Sequence, residues 1–176
     1  GTSNSGKTAF TNAPRTNRQG IEGSAQFKLP YHLESNIAYT WLSATVKEAY
    51  LNNGAYVLSG NRIPGVPNQG LFAELLWVKP NKSVEAAIEA RANGAMDAND
   101  LNTQYKAPGY AVMNIRGVLR QEIAGGWSFS QFFRLNNVFD RSYVGSVIVN
   151  QFFLRSYEPA PTRNWMIGAK ASYQFH

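Results

Sequence analysis

The first eight residues carry the most recognisable chemical motif of the chain. GTSNSGKT, from Gly1 to Thr8, matches the phosphate-loop pattern G-x-x-x-x-G-K-[ST]. Such a loop binds phosphate when a strand precedes it and a helix follows it, because backbone N–H groups and the helix N-terminus must face the anion. The residues after Thr8 contain Pro14 and show no helical periodicity. We therefore interpret the motif as a polar strand and turn, and nucleotide binding is not predicted.

The chain has few side chains of the types that commonly act in catalysis. Its only histidines are His32 and His176, and it has no cysteine. A Ser-His-Asp site needs a histidine held beside a serine and an Asp or Asn, and neither histidine stands in such a context. The lack of cysteine excludes a thiolate zinc site and a cysteine nucleophile. We predict no catalytic residues, no cofactor and no enzymatic activity.

One acidic segment has side chains that suit a metal ion. In MDANDLN, Asp97, Asn99, Asp100 and Asn102 offer oxygen ligands of the kind that calcium prefers. The glycine and the downstream glutamate of a calcium loop are missing. The segment is therefore predicted to be a solvated loop tip without a metal.

Alternation with a period of two is the main structural signal, and it is clearest in the last strand, RNWMIGAKASYQF. One face of that strand holds Trp165, Ile167, Ala169, Ala171, Tyr173 and Phe175; the other holds Asn164, Met166, Gly168, Lys170, Ser172 and Gln174. The aromatic residues stand at the ends of the apolar face. At ~3.3 Å per residue and a tilt of about 45°, Trp165 and Phe175 lie roughly 23 Å apart along a barrel axis, close to the height of an outer-membrane barrel's apolar band.

This spacing predicts a strand that faces lipid. The strand near 127–138 shows the same alternation. The residues predicted to face lipid are Trp127, Phe129, Phe133, Trp165, Ile167, Tyr173 and Phe175. A soluble antiparallel sheet also explains the alternation, but it explains less well why aromatics stand at both edges of the band.

The same search for alternating residues along the chain predicts eight strands, at 3–12, 17–28, 33–46, 69–79, 83–94, 108–121, 127–138 and 163–175. The connections at 29–32, 79–82 and 122–126 are short, whereas those at 47–68, 94–107 and 139–162 are long. Outer-membrane barrels have short periplasmic turns and long extracellular loops. The fold class is therefore predicted to be all-β, an antiparallel transmembrane β-barrel with a periplasmic C-terminus.

The opposite face of the strands is predicted to line a polar lumen. Glu85, Ala87, Glu89 and Arg91 share this face with Asn114, Arg116, Val118 and Arg120, and Arg134 joins them from the strand near 127–138. We expect a register with Glu85 opposite Arg120 and Glu89 opposite Arg116. A slip of two or four residues leaves the faces unchanged. The residues predicted to line the lumen are Glu85, Glu89, Arg116, Arg120 and Arg134.

The net charge of +6 comes from scattered basic residues. No basic helix, aromatic RNA-binding motif or zinc finger accompanies them, so nucleic-acid binding is not predicted. Lipopolysaccharide phosphates and anionic substrates are the expected partners of these Lys and Arg side chains.

Several motifs together resemble one family. They are TNAPRTNRQGIEGSAQF at 11–27, GNRIPGVPNQ at 60–69, LNNVFDRSY at 135–143, VGSVIVN at 144–150, EPAPTRNW at 158–165 and the terminal YQF at 173–175. In this order they resemble the end of a TonB-dependent outer-membrane receptor, with Val138 where that family usually has Leu. The resemblance implies that residues 1–176 form the C-terminal, roughly eight-stranded part of a 22-stranded barrel, with the plug domain and earlier strands outside this chain. It also implies that Tyr173 and Phe175 belong to a signal read by the barrel-assembly machinery.

The implied function is uptake, driven by TonB, of a scarce ligand such as a ferric siderophore or similar metal chelate across the outer membrane of a Gram-negative bacterium. The implied partners are lipid, lipopolysaccharide, the receptor's own plug, TonB and the chelate. Aromatic and arginine side chains of the long loops suit a bulky anionic ligand, although loop packing explains them equally well. The ligand-binding candidates are Tyr50, Tyr56, Arg62, Phe152, Arg155 and Tyr157. The alternative is a small autonomous eight-stranded barrel with a structural, adhesive or lipid-modifying role.

Overall fold

A computed structural model describes residues 14–52, 54–103, 106–150 and 156–175. In chain order the strands are β1 (Thr16–Leu29), β2 (Leu33–Val46), β3 (Tyr50–Asn52), β4 (Ala55–Val57), β5 (Gln69–Val78), β6 (Val84–Asn93), β7 (Met96–Asp97), β8 (Lys106–Ala107), β9 (Tyr110–Ile123), β10 (Trp127–Asn136), β11 (Val144–Val147), β12 (Tyr157–Pro159) and β13 (Asn164–Tyr173). Seven of them form one antiparallel sheet in the order β1-β2-β5-β6-β9-β10-β13.

The long strands agree with seven of the eight predicted segments to within about two residues at each end. The remaining predicted strand, at 3–12, and the phosphate-loop motif lie outside the described residues. Alternation was therefore a sufficient signal for the main sheet.

The connections between the long strands alternate in length. Short turns follow β1, β5 and β9, and long segments follow β2, β6 and β10. Because the strands are antiparallel, the three long segments emerge at one end of the sheet, here called the loop end, and the short ones at the other, the turn end. Each long segment contains a small hairpin, β3–β4, β7–β8 or β11–β12. These hairpins were not predicted from the sequence.

Register divides the sheet into two faces. Residues directly opposite one another in antiparallel strands share a face. Ile88 of β6 lies opposite Leu75 of β5 and Ile115 of β9, whereas the next residue, Glu89, lies opposite Glu74 and Asn114. We call the face of Ile88 the apolar face and the face of Glu89 the polar face.

The apolar face is exposed over most of its area. Trp165 is 66% exposed and Ile167 is 65% exposed. The fully buried apolar residues instead concentrate at the loop end, where Val57, Met96 and Ala98 pack within the long segments. A soluble sandwich would bury such a face against a second sheet, and in the described residues the only other sheets are the three hairpins. An exposed apolar surface of this extent is typical of a membrane or protein contact.

Strands β1 and β13 lie at opposite ends of the sheet and do not pair with each other in the described residues. The described strands therefore form an open stretch of antiparallel wall, which fits part of a larger barrel. Among the described residues, no helix has the length and apolar character needed to cross a bilayer.

The LNNVFDRSY segment forms the turn that leaves β10. Asn137 has a positive φ of 51° and is buried; its backbone N–H donates to Asn114 Oδ1 (2.9 Å) and its side chain bonds the backbone of Arg141. Asp140 Oδ1 accepts a hydrogen bond from the backbone N–H of Arg163, just before β13. The Asn and Asp of this motif therefore fix both the exit from β10 and the return to β13.

Candidate functional site

A row of polar residues crosses the polar face at mid-sheet. Asn36 of β2 lies opposite Glu74 of β5, Glu74 lies opposite Glu89 of β6, and Glu89 lies opposite Asn114 of β9. Two carboxylates directly opposite each other repel when nothing compensates them. The row therefore requires cations from a neighbouring row.

Two arginines supply this compensation. Arg116 of β9 lies opposite Arg134 of β10, one row nearer the turn end, and both side chains reach diagonally to the glutamates. Arg134 donates to Glu89 through both terminal nitrogens, at 3.0 and 2.6 Å. Arg116 bridges the two acids, with Nη2 at 2.6 Å from Glu74 and Nε at 3.2 Å from Glu89. Glu89 itself is only 4% exposed.

Amide side chains extend the network to both sides. Asn36 Nδ2 donates to Glu74 Oε1 (2.9 Å). Arg134 Nε donates to Asn136 Oδ1 (2.8 Å), and Asn136 Nδ2 donates to Asn164 Oδ1 of β13 (2.9 Å). We call this continuous chain the polar belt; it comprises Asn36, Glu74, Glu89, Arg116, Arg134, Asn136 and Asn164 and joins six strands.

The predicted register between β6 and β9 is wrong by two residues. Glu85 lies opposite Val118, and Glu89 lies opposite Asn114. Both expected ion pairs nevertheless form as diagonal contacts, because a shift of two residues keeps the side chains on the same face. Arg120 Nη1 lies 2.6 Å from Glu85, and Arg116 contacts Glu89 as described above. The five residues predicted for the lumen therefore share the polar face.

The residues predicted to face lipid share the apolar face of β10 and β13. Trp127 lies opposite Tyr173, and Phe133 lies opposite Ile167. At the turn end, Trp127, Phe129, Tyr173 and Phe175 form an aromatic cluster, with ring centroids 5.1 Å apart for Trp127–Tyr173 and 4.8 Å apart for Tyr173–Phe175. Trp165 stands at the loop end, opposite Leu135. The sheet thus has aromatics at both edges of its apolar face.

The three long segments are bound together at the loop end by Asp100. Its Oδ2 accepts hydrogen bonds from Asn52 (2.9 Å) and Asn150 (2.7 Å), and its backbone oxygen accepts one from Asn61 (2.8 Å). Asn102 also exchanges hydrogen bonds with the backbone of Arg62. Asp100 and Asn102 therefore join the other two segments. We call the described parts of the three long segments, at 47–68, 94–109 and 137–163, the loop layer.

This packing corrects the prediction that MDANDLN is a solvated loop tip. Asp97 and Ala98 are buried, and Asp97 pairs with Lys106 at 3.7 Å. Asp100 joins this segment to the other two through amide side chains, whereas the Asp97–Lys106 pair lies within the β7–β8 hairpin. The described residues contain no group of three or more His, Cys, Asp or Glu side chains that could hold a metal.

The two predicted ligand tyrosines of the β3–β4 hairpin do not lie side by side. Tyr50 lies opposite Val57, and Tyr56 lies opposite Leu51, so the two tyrosines project from opposite faces of the β3–β4 hairpin. Tyr56 is 71% exposed, whereas Tyr50 is half-buried beside Asp100. Arg62 and Tyr157 are exposed, with Tyr157 on β12. Phe152 and Arg155 lie outside the described residues.

The environment of Tyr50 also perturbs its ionisation. Burial raises the pKa of the Tyr50 phenol above its ordinary value of 10.0, and the negative charge of Asp100 and a hydrogen bond to that carboxylate raise it further. The phenol is therefore held neutral as a donor inside the loop layer.

Sequence reasoning missed a second group on the polar face, one row nearer the loop end than the belt. Arg91 of β6 lies opposite Phe72 of β5, and its guanidinium carbon sits 5.4 Å from the centre of the Phe72 ring. Tyr110 and Tyr143 stack nearby with ring centroids 4.3 Å apart. Alternation placed Arg91 on this face, but its distance from Tyr143 depends on the path of the chain after β10. The periodicity of the strands does not predict that path.

Comparison with known proteins agrees with this geometry. Residues 1–138 match the family model described as TonB dependent receptor-like, beta-barrel. Among solved structures, the ferric preacinetobactin receptor BauA from Acinetobacter baumannii superposes with a TM-score of 0.70 at 16% identity, over 91% of this chain and 22% of that one.

Two further structures are similar to the same extent. The ferric citrate transporter FecA in its unliganded form gives a TM-score of 0.74 at 15% identity, over 89% of this chain and 24% of that one. The copper transporter OprC gives a TM-score of 0.62 at 15% identity, over 91% of this chain and 24% of that one. At this identity the likeness concerns the fold. The chain spans about a fifth to a quarter of the length of these proteins.

Proposed function

Since the chain belongs to the TonB-dependent receptor β-barrel family, we propose that it forms part of the wall of an outer-membrane receptor that imports a scarce ligand, a ferric siderophore or a similar metal chelate. TonB-dependent receptors are outer-membrane transport proteins of Gram-negative bacteria. The proposal places the apolar face against lipid, the polar face toward the lumen, the loop end outside the cell and the turn end in the periplasm.

The observation that carries this proposal is the two-faced sheet. Large apolar side chains are exposed on one face, while ion pairs and amide hydrogen bonds run across six strands on the other. Water is absent from a bilayer core, so a barrel wall must present apolar side chains outward and can keep charged groups only toward a polar interior. This division supports the membrane assignment directly.

The choice of cargo is supported by the comparison structures. They are a ferric preacinetobactin receptor, a ferric citrate transporter and a copper transporter, and all three handle a metal. The proposed partners are the receptor's own plug domain, TonB, lipid with lipopolysaccharide, and the barrel-assembly machinery, which would read Tyr173 and Phe175. The alternative of a small closed barrel is less well supported, because the similar structures are larger receptors and transporters of which this chain covers 22% to 24%.

Growth under iron limitation tests the function. The full receptor gene would be expressed in a Gram-negative strain that lacks its own ferric-chelate receptors, with ferric chelates of different charge supplied as the sole iron source. We expect growth on at least one chelate in a strain with intact TonB and no growth in a TonB-deficient strain. Growth that is equal in both strains, or absent on every metal chelate, contradicts the proposal.

A further inference from the structure

The polar face carries one positive charge more than its carboxylates neutralise. In and beside the polar belt, the arginines Arg91, Arg116 and Arg134 accompany two carboxylates, Glu74 and Glu89. Arg116 and Arg134 make close contacts of 2.6 to 3.2 Å with these acids. The remaining positive charge therefore falls on Arg91.

Arg91 is poorly compensated by its own surroundings. Within the described residues its only ion-pair contact is with Glu89 at 4.0 Å, and the oxygen concerned already accepts a 2.6 Å hydrogen bond from Arg134. The Arg91 side chain is 59% exposed, with Phe72 under one face of the guanidinium. An arginine supported by an aromatic ring and keeping most of its N–H groups free is suited to bind an anionic oxygen.

Two hollows meet at this arginine. One, with a volume of about 290 Å³, is lined by Arg91, Tyr110, Asn114, Arg134, Tyr143 and Asn164 among others. The second, of about 490 Å³, extends toward β2 and is lined by Arg91 and Tyr110 together with Thr40, Phe72 and Asn93. The two volumes lie in or near the range of small-molecule sites. Both hollows are near the loop end of the polar face.

The hydroxyl groups of Tyr110 and Tyr143 add hydrogen-bond donors that suit an anionic oxygen. The Tyr110 hydroxyl accepts a hydrogen bond from Asn93 Nδ2 (2.9 Å), which leaves its own proton available for a ligand oxygen. Burial, and then the neighbouring Tyr110, raise the pKa of the Tyr143 phenol, with Arg91 opposing the shift. The Tyr143 phenol is thus a neutral donor at physiological pH.

We propose that Arg91, Tyr110 and Tyr143 form an anion-binding site on the inner wall, and that it selects metal chelates with a net negative charge, such as catecholate or carboxylate complexes. This inference rests on the proposed uptake function and names the class of cargo. The guanidinium would bind the anionic oxygens of the chelate, the phenols would donate to them, and Phe72 would hold the guanidinium in place.

Binding measurements on the purified full-length receptor test the site. Two probes are used, an anionic ferric tris-catecholate and an uncharged ferric tris-hydroxamate, and affinity is followed by quenching of intrinsic fluorescence. Arg91→Gln should weaken binding of the anionic probe on the order of tenfold or more, because a hydrogen-bonded charge pair is lost. Arg91→Lys should retain part of the affinity. Binding of the uncharged probe should change by less than about twofold.

Arg18→Gln is the matched control, because Arg18 lies on the same face near the same end, on the distant strand β1. It should leave affinity for the anionic probe unchanged. Equal weakening of both probes by Arg91→Gln would indicate a structural role or a plug contact and would overturn the inference, as would unchanged affinity. Growth on uncharged chelates alone would also reject this site while leaving the uptake function intact.

Discussion

Arg134 on β10 forms a two-pronged ion pair with Glu89 on β6, reaching across the intervening strand β9. The same carboxylate accepts a hydrogen bond from Arg116 of β9. One glutamate therefore links three consecutive strands through side chains, in addition to the backbone ladder. This relationship makes Glu89 the centre of the polar belt.

We expect Glu89→Gln to destabilise the barrel by about 2 to 3 kcal/mol. The substitution leaves Arg116 and Arg134 facing each other without the anion that they share. Removing one partner of a buried ion pair usually costs more than about 2 to 3 kcal/mol, but both arginines are partly exposed, so we expect a smaller loss of stability. Urea titration of the folded fraction in lipid or detergent measures it. Glu85→Gln is the control, since its partner Arg120 is far more exposed, and it should have a much smaller effect. Equal effects would show that the belt has no special role in stability.

The faces of the sheet were predictable because most residues of the long strands follow a period of two; β10 departs from it, with Gln131 on the apolar face and Phe132 on the polar face. Glu85 and Glu89 could be assigned to the side of Arg116 and Arg120 without knowing the register, since a shift of two residues does not exchange the faces. The register itself depends on the turn, and the segment between β6 and β9 is too long for turn chemistry to fix it. The diagonal pairing of Arg116 with both Glu74 and Glu89 was therefore not predictable.

The loop layer was harder to predict for a different reason. Asp100 bonds Asn52 and Asn150, which are far away along the chain, and these contacts carry no periodic signal. Four of residues 97–102 are polar, and without the glycine and glutamate of a calcium loop they indicated a solvated tip. The backbone oxygens of Asp97 and Ala98 accept hydrogen bonds from Gly65 and Asn150 of the other two long segments, and these contacts are also distant along the chain. The motif around Asn137 and Asp140 was recognisable by resemblance, but its role in turning the chain emerged only from the hydrogen bonds.

Arginine placed at mid-strand should distinguish the two faces. Ala169 lies opposite Gln131 on the apolar face, and we expect Ala169→Arg to cost about 2 to 4 kcal/mol, because the charge would enter the apolar band. Ser172→Arg, on the polar face of the same strand, should be far milder. Refolding titrations of both variants into lipid vesicles give the comparison. Similar losses in the two variants would contradict the assigned faces.

Arg120 should help to retain the plug in the intact receptor. It lies on the polar face near the turn end, and its exposed guanidinium can bind a second carboxylate in addition to Glu85. We expect Arg120→Ala, alone or with Arg116→Ala, to raise passive leakage of small solutes. Uptake of a chromogenic antibiotic by whole cells reports the leakage. Arg15→Ala, outside the strands and paired with Glu48, is the control. Leakage at the wild-type level in the double variant would show that these arginines contact lumen water and do not retain the plug.

Asp100→Ala should loosen the loop layer without unfolding the barrel. The substitution removes the side-chain acceptor shared by Asn52 and Asn150, whereas the bonds of Asn61 and Arg62 to this segment remain, so the three long segments are held together by fewer contacts. Limited proteolysis of the receptor in intact cells should show faster cleavage within residues 47–68 and 137–163, with unchanged heat-modifiable migration of the barrel. Asn99→Ala is the matched control, because the side-chain hydrogen bonds of Asn99 stay within its own segment. Equal cleavage rates in the two variants would count against the role of Asp100.

The Tyr50 phenol should make the loop layer sensitive to high pH. Its pKa is raised by burial first and by Asp100 second, so the neutral form is favoured in the folded loops. The stabilisation is present below the ordinary pKa of 10.0 and is lost as pH rises through the higher folded value, because ionisation places a phenolate beside a carboxylate. Protease resistance of the long segments should therefore fall above about pH 10 in the unmodified receptor.

Tyr50→Phe isolates this contribution from the other tyrosines. It should lower loop protection modestly at neutral pH, because a hydrogen bond to Asp100 is lost, and it should flatten the decline at high pH. Tyr56→Phe, on the exposed side of the same hairpin, should behave like the unmodified receptor. The quantity to compare is the ratio of cleavage rates at alkaline and neutral pH for the three proteins. A Tyr50→Phe ratio equal to that of the unmodified receptor would show that the phenol does not sense the charge of Asp100.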